Sequence, residues 1–388
     1  MSSRLVLALG VVLLLQACSP AACPTCPVQK CPDPAPEAPA QPCALLAEYQ
    51  DLPRPQNVGL RSEYRPEFRT VLTGFFSGFG DRISTRLTTP DREVVTLWKL
   101  ARDSGASVNA QALWLTRDFD ETWMSAGDLE VMSDAGVLPV LLLYYFGGEI
   151  SRSSVIQQRR DWYFFLIRVA AVAAIHRPVL VIFEPEFNDE GNEAERLALD
   201  WPGFNEIMID GMYLLRSMAP NVLVGLCPGD FGEQNLERSA GEAIQYSDFI
   251  AYQEMRAVTR ESGMTEESED VSDRALAYAS FLSQKFEKPL LLAYVAVSSY
   301  DPEGGRWEGY QSDVVSNLFD MTGGLRDLGV FGVLYFELLD DPLHEGYFGP
   351  AEKHFGFMTS SGKPKPAFKT YVQNLAQRPD LLTDWRPE

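Results

Sequence analysis

The feature that most constrains this chain is an alternation: eight short apolar runs, each followed by a longer amphipathic or apolar stretch, over roughly 270 residues. The runs are Val71 to Phe76, Ala110 to Leu115, Pro139 to Tyr145, Val179 to Phe183, Val222 to Leu226, Phe249 to Tyr252, Leu290 to Val297 and Phe331 to Phe336. Continuous Val, Ile and Leu, without polar alternation, is the pattern of parallel strands covered on both faces. Helical spacing recurs at Asp91 to Asp103, Gln157 to Ile175, Phe204 to Met218, Ser272 to Phe286 and Gln311 to Leu328. Suitable start signals stand at Thr89-Pro90-Asp91-Arg92-Glu93 and Asp270-Val271-Ser272-Asp273. Eight strand–helix units predict an α/β fold, a (β/α)8 TIM barrel, over residues 45–388 rather than an open sheet. The pattern is weakest from Thr116 to Gly136, and the body carries no internal repeat.

In such a barrel the chemistry collects where the strands end. The fourth run passes directly into Glu184-Pro185-Glu186-Phe187-Asn188. Strand period places Glu184 and Glu186 on one side, and no basic residue lies between Val179 and Glu195 to neutralise them. The bland alternative is a helix cap or an ion pair with a distant Arg. The sixth run ends with Tyr252, Glu254 and Arg256 on alternate positions, where a salt bridge of Glu254 with an Arg weighs equally with a catalytic role. The seventh brings Tyr294, then Ser298, Ser299 and Tyr300, with Trp307 set among Gly304, Gly305, Arg306 and Gly309, a loop composition. The eighth brings Glu337 and Asp340. Carboxylates mixed with aromatic rings suit sugars, whose hydroxyls take charged acceptors and whose C–H faces pack on rings. Glycosidic cleavage needs one protonated and one ionised carboxyl, so Glu184, Glu186 and Glu254 are the catalytic candidates. Asn188, Tyr252, Tyr294, Trp307, Glu337 and Asp340 are the candidates for substrate binding, with core packing the alternative for the aromatic ones.

His176, His344 and His354 are scattered without metal-ligand spacing, and no phosphate loop, dinucleotide fingerprint or nucleophile elbow is present. The run Asp189 to Glu195 lacks the EF-hand pattern. No metal or cofactor is therefore expected. Lys plus Arg is 33 against Asp plus Glu 54, a net charge of −21. Such a surface repels nucleic acid and anionic membrane and is compatible with a neutral glycan or polysaccharide.

The N-terminus pairs Arg4 with an eleven-residue apolar run, Leu5 to Leu15, too short to span a bilayer and suited to a secretory signal. Leu15-Gln-Ala-Cys18 resembles the bacterial lipobox. The resemblance implies that residues 1–17 are a lipoprotein signal peptide and that Cys18 carries the lipid, with Ser19 favouring the outer membrane. The only membrane attachment expected is through that lipid. Removing the signal takes away only Arg4 among charged side chains and leaves −22. Residues 18–44 hold eight prolines between Cys18 and Cys43 and read as a stalk. Cys23, Cys26, Cys31 and Cys43 are disulfide candidates in an oxidising compartment, with three connectivities open and zinc the minor alternative. Cys227 stands alone in an apolar run as a buried thiol.

The last segments, Tyr335-Phe-Glu-Leu-Leu-Asp-Asp-Pro342, Glu352-Lys-His-Phe-Gly-Phe357 and Gly362-Lys-Pro-Lys-Pro-Ala-Phe368, resemble the end of clan A glycoside hydrolases, particularly the β-1,3-glucanase-like families. The resemblance implies an Asn-Glu-Pro acid/base motif after strand four, which maps onto Glu184-Pro185 with Phe183 in place of Asn. It also implies a nucleophilic Glu on strand seven, where this chain has Tyr294. Tyrosine serves as nucleophile in one exceptional glycosidase class. Three functions follow: a glycoside hydrolase or transglycosylase of altered site, an inactive glycan-binding barrel at the cell surface, or an envelope scaffold.

Overall fold

The computed structural model describes residues 65–81, 92–120, 122–147, 150–188, 203–229, 233–257, 271–300 and 307–384. The chain divides into two units, Met1–Leu45 and Leu46–Glu388, and every described residue belongs to the second. The signal peptide, the stalk, Cys18, Cys23, Cys26, Cys31, Cys43, the Thr89 to Asp91 start signal and the Asp189 to Glu195 run lie outside the described residues.

Eight parallel strands close into a barrel in chain order: β1 Phe76–Phe79, β2 Ala110–Thr116, β3 Leu138–Tyr144, β4 Val179–Phe183, β5 Val222–Leu226, β6 Phe249–Arg256, β7 Leu290–Val297 and β8 Val330–Tyr335. β8 pairs back onto β1, Phe76 opposite Gly332 and Phe79 opposite Tyr335. The fold is the expected (β/α)8 barrel.

The first unit differs from the sequence reading. Residues Pro66–Thr73 form a helix, α1, and the strand begins only at Phe76. Pro66 at the first turn presets helical φ, and Phe68, Val71 and Leu72 recur at helical spacing on one buried face. The run Val71 to Phe76 thus straddles a helix end and a strand start. α1 closes the bottom of the barrel: its Phe68 and Val71 share a buried cluster with Phe76, Ala110, Leu138, Phe249 and Phe331, the residues at the N-terminal ends of their strands.

Alternation divides each strand between two cores. Ala110, Ala112 and Trp114 of β2 face the interior cluster, while Leu113 and Leu115 join the sheath beneath the helices. Gly225 of β5 gives the room that interior requires, since a Cβ there would stand 2.5 Å from the Phe249 ring.

The surrounding helices are α2 Leu97–Asp103, α3 Ala126–Asp134, α4 Arg152–Ala173, α5 Gly203–Met218, α6 Glu233–Tyr246, α7 Val271–Phe286, α8 Trp307–Asp320, α9 Thr322–Asp327 and α10 Pro366–Gln377. A 3-10 turn, Arg92–Thr96, precedes α2. α3 arises where helical periodicity is poor because Ser125 and Asp128 form a capping box that satisfies its first amides. α10 seals β1: Phe368 and Tyr371 pack on the Phe79 ring with centroids at 6.1 and 4.8 Å, and the Tyr371 hydroxyl donates to Ser77 Oγ at 3.0 Å. Among the described residues no helix is long and apolar enough to cross a membrane.

Candidate functional site

Two departures from regular strand geometry bring Glu186 and Tyr294 together at the C-terminal mouth. The first is on β4, which ends at Phe183; Glu184 and Glu186 then adopt φ of 45° and 63°. Left-handed backbone at a non-glycine residue costs on the order of 1–3 kcal/mol and persists only where neighbours fix it. Here they do: Glu184 N–H donates to Leu143 O at 2.9 Å and Glu186 N–H to Cys227 O at 2.9 Å. The two-residue strand period therefore does not govern their side chains, and the two carboxyls part.

Glu184 turns back to β3, where its oxygens accept the backbone N–H groups of Tyr145 at 3.2 Å and Phe146 at 3.1 Å. The carboxyl is 1% exposed. Burial pushes it up to about 8, against the two N–H donors that favour its charged form. Through these two bonds it anchors the turn after β3.

The second departure is a bulge. Tyr252 of β6 pairs with Leu292, but Gln253 pairs with Tyr294, so Ala293 is the extra residue on β7. Leu291, Ala293 and Tyr294 all belong to the interior cluster, whereas Leu292 and Val295 belong to the sheath. Strict alternation would send Tyr294 outward; the bulge re-aims it into the barrel. There its hydroxyl donates to Glu186 Oε1 at 2.7 Å. Burial, with Glu186 and then Cys227 adding, raises the phenol well above 10, so it remains a protonated donor. Around the pair stand Trp114, whose ring lies 5.3 Å from Tyr294, 5.5 Å from Phe336 and 5.9 Å from Tyr144, and Phe336, 5.1 Å from Tyr294. Trp114, Tyr144 and Phe336 were not singled out from the sequence; the alternation of Ala110, Ala112 and Trp114 on β2 was the signal for the first. Cys227, at the end of β5, is a buried free thiol that burial holds well above its ordinary value.

The remaining candidates scatter. Asn188 clasps the loop after β5, its Nδ2 donating to Gly229 O at 3.2 Å and its Oδ1 accepting from Gly229 N–H at 2.7 Å. Tyr252 belongs to the sheath, its ring edge-on to Tyr278 of α7 at 5.8 Å. Glu254 is fully buried and pairs with Arg256 at 3.6 Å and Arg274 of α7 at 3.5 Å, the salt-bridge alternative. Trp307 is no loop residue: it opens α8, 9% exposed, with its ring 5.1 Å from Tyr310. Its glycine neighbours suggested a loop, but the helix begins at the tryptophan itself and buries it.

Glu337 and Asp340 follow the end of β8. Glu337 is fully buried and makes no hydrogen bond; His344 Nδ1 approaches it at 3.8 Å and Glu352 at 3.7 Å. Burial first, then Asp341, Asp340, Asp81 and Glu352, raise Glu337 well above 4.5. Asp340 is held by Lys365 at 2.5 Å. Among the described residues no group of three or more His, Cys, Asp or Glu is arranged to hold a metal ion.

The arrangement at the mouth presents one partly exposed carboxylate, Glu186, against a buried phenol within an aromatic frame. A carboxylate at this distance can accept the phenolic proton or a sugar hydroxyl.

No protein-family model matches the chain, and no curated protein matches it. Solved structures do. β-D-glucuronidase from Dictyoglomus thermophilum aligns with a TM-score of 0.56 at 13% identity, over 80% of this chain and 52% of that one. GH5_18 from Streptomyces cattleya, in complex with Manβ1-4GlcNAc, aligns at 0.57 and 14%, over 80% and 83%. An exo-β-1,4-mannosidase from Opitutaceae bacterium strain TAV5 aligns at 0.57 and 12%, over 79% and 60%. The chain spans about half the length of the glucuronidase. These likenesses show the fold, a (β/α)8 barrel.

Proposed function

We propose that this chain binds a neutral glycan at the C-terminal mouth of its barrel, with Glu186 as the carboxylate that takes the sugar hydroxyls and the Trp114, Tyr144 and Phe336 rings framing the site. The observation that carries the reading is the Glu186–Tyr294 hydrogen bond of 2.7 Å. Retaining glycosidases set two carboxyl groups about 5 to 5.5 Å apart across the scissile bond. In this mouth the partner that meets Glu186 from β7 is a phenol, while Glu184 and Glu254 are committed to backbone amides and to arginines. Support for the ligand class comes from the fold, since a similar barrel holds Manβ1-4GlcNAc. The acidic surface favours a neutral sugar over an anionic one.

The same hydrogen bond favours one second reading. A carboxylate within reach of a phenolic proton is placed as a general base, and tyrosine is the nucleophile in one glycosidase class. Hydrolysis would then run through Tyr294 with Glu186 as its base. Product release from β-glucans, mannans and peptidoglycan divides the two. Retention without product supports the binding reading; turnover lost in Tyr294→Phe and Glu186→Gln establishes the hydrolase.

On the sequence of residues 1–44 alone, we propose further that the barrel is a lipoprotein of the bacterial envelope, held by lipid on Cys18 and set off by a proline-rich stalk. Cys18→Ser should release it from the membrane fraction. An unchanged distribution contradicts the anchor.

A further inference from the structure

A cavity opens on the same end of the barrel, and neither Glu186 nor Tyr294 is among the residues that line it. Its volume is about 550 Å³, within the range of small-molecule sites, and none of its lining residues belongs to the aromatic frame of the mouth. It lies between Ser299 and Tyr300 just after β7, the N-terminus of α8 and the segment that follows β8.

The chemistry of its wall is balanced. Lys365 is buried, and its ammonium is fully engaged: it donates to Asp340 Oδ1 at 2.5 Å, Ser299 Oγ at 2.8 Å and His354 O at 3.3 Å. It thus stiffens the floor and offers no charge to an anion. Lys353 and Glu308 also line the cavity, one of each sign beside the paired Lys365 and Asp340, so the lining as a whole presents no net attraction for a charged ligand. Tyr300 and His354 form a stacked pair, centroids at 5.3 Å and planes 18° apart, that makes one wall aromatic. Ser360 adds a hydroxyl at the rim.

Aromatic rings together with separate donors and acceptors in one lining, with no net charge, are the combination that recognises a polyhydroxylated ring. We propose that this cavity is a second carbohydrate subsite, taking one neutral sugar unit, with Tyr300 as its platform and Lys353 and Glu308 as its hydroxyl-binding groups. The inference rests on the glycan reading only for ligand class; its geometry is independent of Glu186.

The test is calorimetric titration of the full chain with Manβ1-4GlcNAc, mannose and N-acetylglucosamine, set beside two kinds of variant. Ser360→Trp fills the rim from an exposed position and leaves the fold untouched, and Tyr300→Ala removes the platform. Glu186→Gln alters the mouth alone. The expected result is a binding component weakened about tenfold or more by Ser360→Trp and by Tyr300→Ala yet preserved in Glu186→Gln. Binding that survives both cavity variants and fails only in Glu186→Gln overturns the subsite while leaving the mouth reading intact. An absence of sugar binding in the wild-type chain overturns the subsite as well, and retention of polysaccharide then judges the mouth separately.

Discussion

The Tyr294 hydroxyl and Glu186 Oε1 meet at 2.7 Å only because two strands abandon regular geometry at the mouth. The extra Ala293 turns the tyrosine inward, and the positive φ of Glu186 brings the carboxylate to it. The same backbone turn sends Glu184 the other way, into the amides of Tyr145 and Phe146.

The two glutamates should therefore separate cleanly by mutation. Glu184→Ala leaves two buried N–H donors without partners, at a cost of about 2–4 kcal/mol, and should lower the thermal midpoint by several degrees. Glu186→Gln keeps an acceptor for Tyr294 and should leave the midpoint close to wild type. Thermal unfolding of both variants checks this; equal midpoints contradict the anchoring role of Glu184.

Stability should fall as pH rises from weakly acidic to weakly basic. Glu337 is raised well above 4.5, and Glu184 to about 8, chiefly by burial. A carboxyl raised on folding holds its proton more tightly in the folded chain than in the unfolded one. Its contribution is complete below the unfolded value of 4.5 and is lost as pH climbs toward the folded value, at up to about 1.4 kcal/mol per pH unit for each group. Denaturant titrations at about pH 5 and about pH 8 should show the loss, and Glu337→Gln should flatten it. A slope in the variant as steep as in the wild type would remove Glu337 from the account.

Much of the fold was legible because eight buried strands write themselves as apolar runs; β4, β5 and β7 begin and end where the sequence places them. The first unit was not, since α1 and β1 share one hydrophobic stretch across Gly74 and composition does not mark the change of period. At the mouth, residue types were legible and directions were not. A bulge at Ala293 and left-handed backbone at Glu184 and Glu186 leave no trace in a period-two reading. Tyr252 and Glu254 fell on the sheath side because they alternate with Ala251, which faces the interior.

Glu254 should prove structural. Its carboxylate is fully buried between Arg256 and Arg274. Breaking such a pair by removing one member costs about 3–5 kcal/mol, so Glu254→Ala should destabilise strongly. Glycan retention measured well below the melting transition should be unchanged in Glu254→Gln. Lost retention in a folded variant would return Glu254 to the site.

Trp307 should likewise act through the core. It is 9% exposed at the start of α8, against Tyr310. Trp307→Ala should cost about 3–5 kcal/mol by leaving a cavity, with glycan affinity preserved in the fraction that remains folded. Urea denaturation followed by affinity measurement distinguishes this from a stacking role, in which affinity falls and stability does not.

The most direct test is retention of a panel of neutral β-glucans and mannans by the full chain, wild type beside Glu186→Gln and Tyr294→Phe. The account predicts that at least one glycan is retained by the wild type and that Glu186→Gln weakens retention about tenfold or more, with its thermal midpoint unchanged. Retention that is indifferent to both substitutions, or absent across the panel, would contradict a glycan site built on Glu186 and Tyr294.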